Sequence, residues 1–444
     1  MNFQSHAYSS HKIIRLVIKL ILCLTLQHAV AETTATSNLI VQNTDEPTGI
    51  LVLPQALSLA LLKNPELSVF SQEIRVAEAI KLQAGLLPNP TFDASASNFG
   101  NSAYQGFDGE AVSLELSQLI ELGGKRAARI KAAGLTQELA GWDYETKRMD
   151  VMTQVAQAFI QVLAAQESLI LAKNLQKVAD KMTAAVAALF EAGNVAAVEK
   201  IKAQVMQSTT QIELMRAEKN LKMTRYSLAA IWGSSQPLFE SVAGNIKEIR
   251  ELPTLSFLSE QLQLNPDLAR WIEEISQRHA LVELEESKAI PDVTVTLGVN
   301  NSLIPDEYAM LAGISIPLPL FDRNQGNISA AQYRVNKAEY ERRSHQLTIK
   351  TRLNTTYQQL QIAYEEVNTL EAVVIPSADR AYKIAKQGYQ LGKFNLLNLL
   401  DAQRTLFRVQ SQYLRALTDY HLNVAQIERL TGSALNPLAE ITEQ

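Results

Sequence analysis

Asn64-Pro65-Glu66-Leu67 recurs 201 positions later as Asn265-Pro266-Asp267-Leu268. Pro90 and Pro291, each ahead of a run that alternates polar with apolar residues, keep the same offset. Further along, Phe190-Glu191-Ala192-Gly193 matches Tyr389-Gln390-Leu391-Gly392, and Trp232-Gly233 matches Thr431-Gly432, both 199 apart. Four landmarks that hold one offset within two residues mark a tandem structural repeat. The first unit is expected over 54–236 and the second over 255–433, joined by a linker over 237–254. An extension over 32–53 precedes them and a tail over 434–444 follows.

Within each copy the period of the pattern changes in the same order. Helical segments run from Pro54 to about Ala84 and from Leu255 to about Lys288. A two-residue period follows and predicts strands at about 91–99 and 111–119, then 292–300 and 308–317. Val112, Leu114 and Leu116 alternate with Ser113, Glu115 and Ser117, and Val293, Val295, Leu297 and Val299 alternate with Thr294, Thr296 and Gly298. Strands with lipid on one side and water on the other give this pattern, and so does a half-buried soluble sheet.

The period then becomes helical over a long distance. Trp142, Met149, Ala156, Leu163 and Ile170 recur every seven residues, as do Leu353, Leu360, Val367 and Val374. A seven-residue repeat marks helices wound about one another. Sixty-odd residues at about 1.5 Å each make a rod of about 100 Å, too long for a compact domain. Pro376 is expected to kink the second rod without ending it. Each rod reaches a glycine, Gly193 or Gly392, that closes the helix in a left-handed conformation before another helix runs back.

The N-terminal stretch is of a different kind. Met1 to Ala31 carries Lys12, Arg15 and Lys19 with no acid, then an apolar run from Leu20 to Leu26, then Ala29-Val30-Ala31. This is the pattern of a secretory signal cleaved near Ala31. Cleavage removes Cys23, the only cysteine, and makes the chain three charges more negative than its formal −5. No run of 18 apolar residues follows, so no membrane-crossing helix is expected. A net negative charge gives no footprint for nucleic acid. His279, His345 and His421 lack ligand spacing, and no catalytic constellation stands out, so no enzyme activity, metal site or cofactor is expected.

Two hairpins give four strands, and four strands cannot close. A membrane sheet must close, because an open edge in lipid leaves backbone groups unpaired. Three copies would give twelve strands and a lumen, and would gather the long helices into a hollow cylinder.

The mature chain resembles the TolC-type outer-membrane efflux ducts in its twofold repeat, its Asn-Pro-Glu-Leu opening and its two glycine-bearing tips. Glu121-Leu122-Gly123-Gly124-Lys125-Arg126 and Pro317-Leu318-Pro319-Leu320-Phe321-Asp322-Arg323-Asn324-Gln325-Gly326 resemble the branch that serves cobalt-zinc-cadmium exporters. The resemblance implies a mainly α protein with a membrane β-barrel, in which a homotrimer builds a 12-stranded barrel continuous with an α-helical tunnel. It implies residence in outer-membrane lipid with extension into the periplasm. It also implies a passive duct working with a periplasmic adaptor and an inner-membrane resistance-nodulation-division pump to export divalent cations. Drug efflux or polypeptide secretion through the same fold is the alternative; a soluble coiled-coil adaptor is the alternative of another class.

The resemblance also singles out residues. Tyr389, Asn398 and Asp401, with Glu199 in the first copy, are candidates for a periplasmic gate and cation ring, although Asn398 stands where a second acid would complete the pattern. Asp401 is equally a solvated carboxylate on a coiled-coil face. Gly193-Asn194-Val195 and Gly392-Lys393-Phe394 are candidate adaptor contacts, with Val195 and Phe394 either a binding surface or local staples. Gly123, Gly124, Pro317, Pro319 and Asp322 mark strand-to-helix junctions: glycine allows the bends, proline stops the ladder, and Asp322 or Glu121 is placed to favour the new helix.

Overall fold

The computed structural model describes residues 46–97, 111–303 and 306–432. The signal segment, most of the extension, the strand end at 98–99 and the tail lie outside these residues.

The first copy comprises α1 (Leu53–Lys63), α2 (Pro65–Ala84), β2 (Thr91–Ser97), β3 (Ala111–Ile120), α3 (Lys125–Glu191) and α4 (Ala197–Ala230), with β1 (Gly49–Leu51) ahead of it. The second comprises α5 (Leu255–Gln261), α6 (Pro266–Lys288), β5 (Val293–Leu303), β6 (Asp306–Ser315), α7 (Gln325–Thr369), α8 (Ile375–Gln390) and α9 (Leu396–Thr431). The segment expected as a linker is more than that. It contains β4 (Phe239–Val242), which pairs in parallel with β1 and so ties the middle of the chain to its start.

The repeated Asn-Pro has a physical reason. Asn64 caps α2 by accepting the Leu67 N–H at 2.9 Å, and its side-chain amide donates to the Ile231 carbonyl at 2.6 Å, just past the end of α4. Asn265 does the same for the second copy, accepting from Asp267 N–H and donating to the Leu430 carbonyl near the end of α9, both at 2.7 Å. Pro occupies the first helical position, where its missing N–H costs nothing. Each short helix is thereby seated on the end of the returning long helix of its own copy. The next residue extends the joint: Glu66 pairs with Lys147 of α3, while Asp267 pairs with Arg429, which also holds Asp150 of α3.

The long helices depart from the expected seam in an instructive way. In α3, 67 residues long, Leu163 is buried but Ile170 is exposed, and the buried series continues as Ala165, Ala172, Ala179 and Val186. A helix of 3.6 residues per turn drifts by about 20° per heptad, so one seven-residue stripe cannot face the same neighbour throughout. By length and composition α3 could cross a bilayer, against the sequence expectation, yet Val151, Val155, Phe159 and Ile160 are buried in the core against neighbouring elements. In the second copy Leu353, Leu360 and Val367 are buried as expected. The rod then passes through a π turn at Leu370–Val374 immediately before Pro376, and helix resumes at once. The turn adds one residue, so the buried series Ala363 and Leu370 continues at Ala378 and Ala385.

The four long strands form one antiparallel sheet in the order β2-β3-β5-β6. The central pairing, β3 with β5, joins the two copies. Replacing Asn265, which is fully buried, tests the joint. Asn265→Ala is expected to cost about 2–3 kcal/mol, the sum of a lost helix cap and an unpaired buried carbonyl at Leu430. Asn265→Asp keeps the cap acceptor but sets a buried carboxylate against the Leu430 carbonyl, and should be no more stable than the alanine variant. The midpoint of denaturant unfolding followed by helical circular dichroism reads both.

Candidate functional site

The register sorts the sheet into two chemically opposite faces. Phe92, Leu116, Leu297 and Ala312 lie in one row, and Ala94, Leu114, Val299 and Met310 in the next. On the other face Thr91, Ser117, Thr296 and Gly313 form one row, and Ser95, Ser113, Asn300 and Ala309 another. Ser117 and Thr296 share a hydroxyl hydrogen bond of 2.9 Å across the two copies. The apolar face carries side chains as exposed as Met310 at 92% and Ile314 at 73%. A face this apolar and this uncovered is built to meet something other than water.

The polar face holds Asp93 directly opposite Glu115, and Glu307 lies on it further along β6. The four strands contain four acids, these three and Asp306, and no lysine, arginine or histidine. Sequence reading passed over these acids. The signal was the parity of Asp93 and Glu115 with the serines around them.

Below the sheet the junctions differ between copies. Gly123 and Gly124 both have positive φ, and a side chain at Gly123 would collide with Ile290 and the Ser287 carbonyl. Lys125 crosses to the second copy, reaching Asp292 and the Ile290 carbonyl at 2.5 Å each, and Asp292 also accepts the Leu122 N–H at 2.9 Å. In the second copy the left-handed position is Asn324, the only non-glycine residue with positive φ among the described residues. Its amide donates to the Glu285 carbonyl and carboxylate, both at 2.7 Å. Asp322 accepts the Asn324 N–H at 2.9 Å, and Glu121 pairs with Arg129, so neither carboxylate caps a first helical turn. β6 ends at Ser315, and Pro317 and Pro319 follow in irregular chain.

At the opposite end the two hairpin tips share a core. Ala179 and Val186 of α3, Ala203 and Met206 of α4, and Leu396 and Leu400 of α9 are buried together, with Val195 and Tyr389 packed against them. Val195 is therefore a staple of the joint core. Gly193 and Gly392 have φ of 75° and 70°, and open space lies where a Cβ would point, so conformation alone selects glycine there. Phe394 folds back onto Gly388, whose carbonyl accepts the Lys393 and Phe394 N–H groups at 2.8 and 3.1 Å. The first copy has Leu189 and Val195 where the second has Gly388 and Phe394. Bulk has moved from one partner to the other. Asn194 and Lys393 are exposed at the turns.

The candidate gate residues fall into two groups. Tyr389 and Glu199 come together across the two copies; the Tyr389 hydroxyl is buried without a hydrogen-bond partner among the described residues, and burial together with the Glu199 carboxylate pushes its pKa up. Asn398 and Asp401 are exposed one turn apart on α9, beyond the Asn395 cap that accepts the Asn398 N–H at 3.0 Å. Among the described residues no group of three His, Cys, Asp or Glu could hold an ion.

Comparison with known proteins adds to this geometry. The family model for the outer membrane efflux protein matches residues 56–234 and again 257–433. The chain is 34% identical over 404 residues to the cobalt-zinc-cadmium resistance protein CzcC of Cupriavidus metallidurans, covering 91% of this chain and 95% of that one. It is 27% identical to the nickel-cobalt-cadmium resistance protein NccC of Alcaligenes xylosoxydans xylosoxydans, over 67% of each. Its fold matches a crystal structure of CusC with a TM-score of 0.73 at 16% identity, covering 87% of this chain and 94% of that one.

The exchange of bulk at the tips gives a test. Gly388→Leu alone should displace Phe394 and open the turn, seen as faster tryptic cleavage at Lys393. Gly388→Leu with Phe394→Val, which copies the first tip, should return cleavage to the wild-type rate.

Proposed function

The chain belongs to the outer membrane efflux protein family, and on that premise we propose that it is the passive outer-membrane duct of a tripartite pump that exports divalent cations. It is a channel component and not an enzyme. Three copies, each contributing four strands, would close a twelve-stranded barrel. The apolar rows would face lipid and the polar rows the lumen, as in outer-membrane barrels. Signal cleavage near Ala31 would precede assembly.

The observation that carries the cation reading is the charge of the strands. Asp93, Glu115 and Glu307 share a face with hydroxyl and amide side chains and with Leu311, and no basic residue lies in any strand. Repeated three times around a narrow lumen with low-dielectric walls, they would concentrate cations and repel anions. Asp401 would add a further ring near the tips, with Tyr389 and Glu199 part of the closure beside it. The resistance to cobalt, zinc and cadmium named for CzcC supports the same class of cargo. The tips, with Asn194 and Lys393 exposed, are the proposed contact for a periplasmic adaptor, which would couple the duct to an inner-membrane resistance-nodulation-division pump.

Reversal potentials in planar bilayers under a potassium chloride gradient test the charge argument. The wild-type channel should prefer potassium, and Asp93→Asn with Glu115→Gln and Glu307→Gln should move the permeability ratio toward unity. The triple variant should fold normally, since Asp93 and Glu115 face each other as like charges and gain nothing from the pairing. A channel that ignores the three substitutions overturns the reading. In cells, deletion should sensitise to zinc, cadmium and cobalt while tolerance to dyes and detergents is kept; equal loss of both indicates a general duct.

A further inference from the structure

Between α3, α4 and α9 lies a groove of about 650 Å³. Its floor is apolar, built from Leu171 of α3, Met206 of α4 and Phe407 of α9. Its rim carries Arg216 from α4 and Arg404 and Arg408 from α9, with Glu213 the only carboxylate among the lining residues. None of these three arginines has an ion-pair or hydrogen-bond partner among the described residues. Arg129 of α3 and Arg429 of α9, by contrast, are held, the first by Glu121 and the second by Asp150 and Asp267. The groove continues past Asn220 and Ser411 into a second space of about 480 Å³.

Unpartnered guanidiniums on both walls of one concavity raise its positive potential, and that repulsion is relieved when an anion enters. The planar fork of arginine matches carboxylate, sulfonate or phosphate oxygens in pairs. The floor asks for something else, an apolar body that covers Leu171, Met206 and Phe407. The volume lies within the range of about 300–1,000 Å³ typical of small-molecule sites. We propose that this groove binds an amphipathic organic anion, a compact aromatic or alkyl body bearing acidic groups. Charge complementarity selects the anion and the floor excludes a bare inorganic ion. The site is lined by residues of one chain, and the proposal rests on that lining and not on the cation reading.

Isothermal titration of the purified full-length protein in an uncharged detergent, with naphthalene disulfonate as the probe, tests the site. Saturable binding that weakens as salt is added is expected. Arg404→Gln with Arg408→Gln should weaken it by about tenfold or more, the loss expected for two charge-assisted hydrogen bonds. Both side chains are exposed, so folding should be kept; Arg404→Lys with Arg408→Lys, which retains charge but not the fork, should fall between. Phe407→Ala should weaken binding of the disulfonate, and neither inorganic sulfate nor the uncharged naphthalenediol should bind. Unchanged affinity in the glutamine pair overturns the proposal. So does equal binding of sulfate. So does absence of binding to the wild type, the result if a neighbouring copy or a partner helix fills the groove.

Discussion

One asparagine amide, used twice, sets the geometry on which the rest depends. It satisfies an N–H at the start of a short helix and a carbonyl at the end of a long one, in a place shielded from water. Buried backbone groups at helix ends must find partners, and here each end supplies what the other lacks. The short helix and the returning long helix thus act as one column beside the rod of each copy. Arg429 and Lys147 brace the joint from the side through the acid that follows the proline. The strands, the junctions and the tips are placed at the distances this column dictates.

The two copies share architecture but not stiffness. The first rod is a single α-helix, while the second is interrupted by a π turn beside Pro376. A missing N–H and a widened turn both weaken the local ladder. At the tips the first copy has Leu189 and Val195 where the second has a glycine and an aromatic ring. Gln403 of α9, fully buried, leaves both amide atoms without partners among the described residues. The second hairpin therefore carries the features that make a packed region easier to rearrange.

Much of this was legible in the sequence. The repeat offset, the glycines that close each rod and the change of period from two to seven reflect local physics, and local physics survives in a linear string. The proline-flanked junctions were legible as junctions. What escaped depended on partners distant in the chain. Nothing near Lys125 announces Asp292, and nothing near Asn64 announces Ile231. The seam of α3 was misplaced at Ile170 because a fixed heptad ignores the drift of a straight helix. Gly388 passed unnoticed because a helical glycine acquires meaning only when Phe394 is seen lying on it. The acids of the strands were visible, but their shared face became apparent only through the register.

The sheet ends in β2 on one side and β6 on the other, and among the described residues neither outer edge has a strand beside it. Lipid offers those amides and carbonyls nothing in exchange for water. If the chain closes the twelve-stranded barrel proposed above, a solitary copy could not dwell in a membrane while it waits for companions; insertion and association would be one event. Biogenesis should accordingly rise steeply with local chain concentration. A subunit damaged at either border should also spoil any ring it joins, so an allele of that kind is expected to behave as dominant over an intact copy.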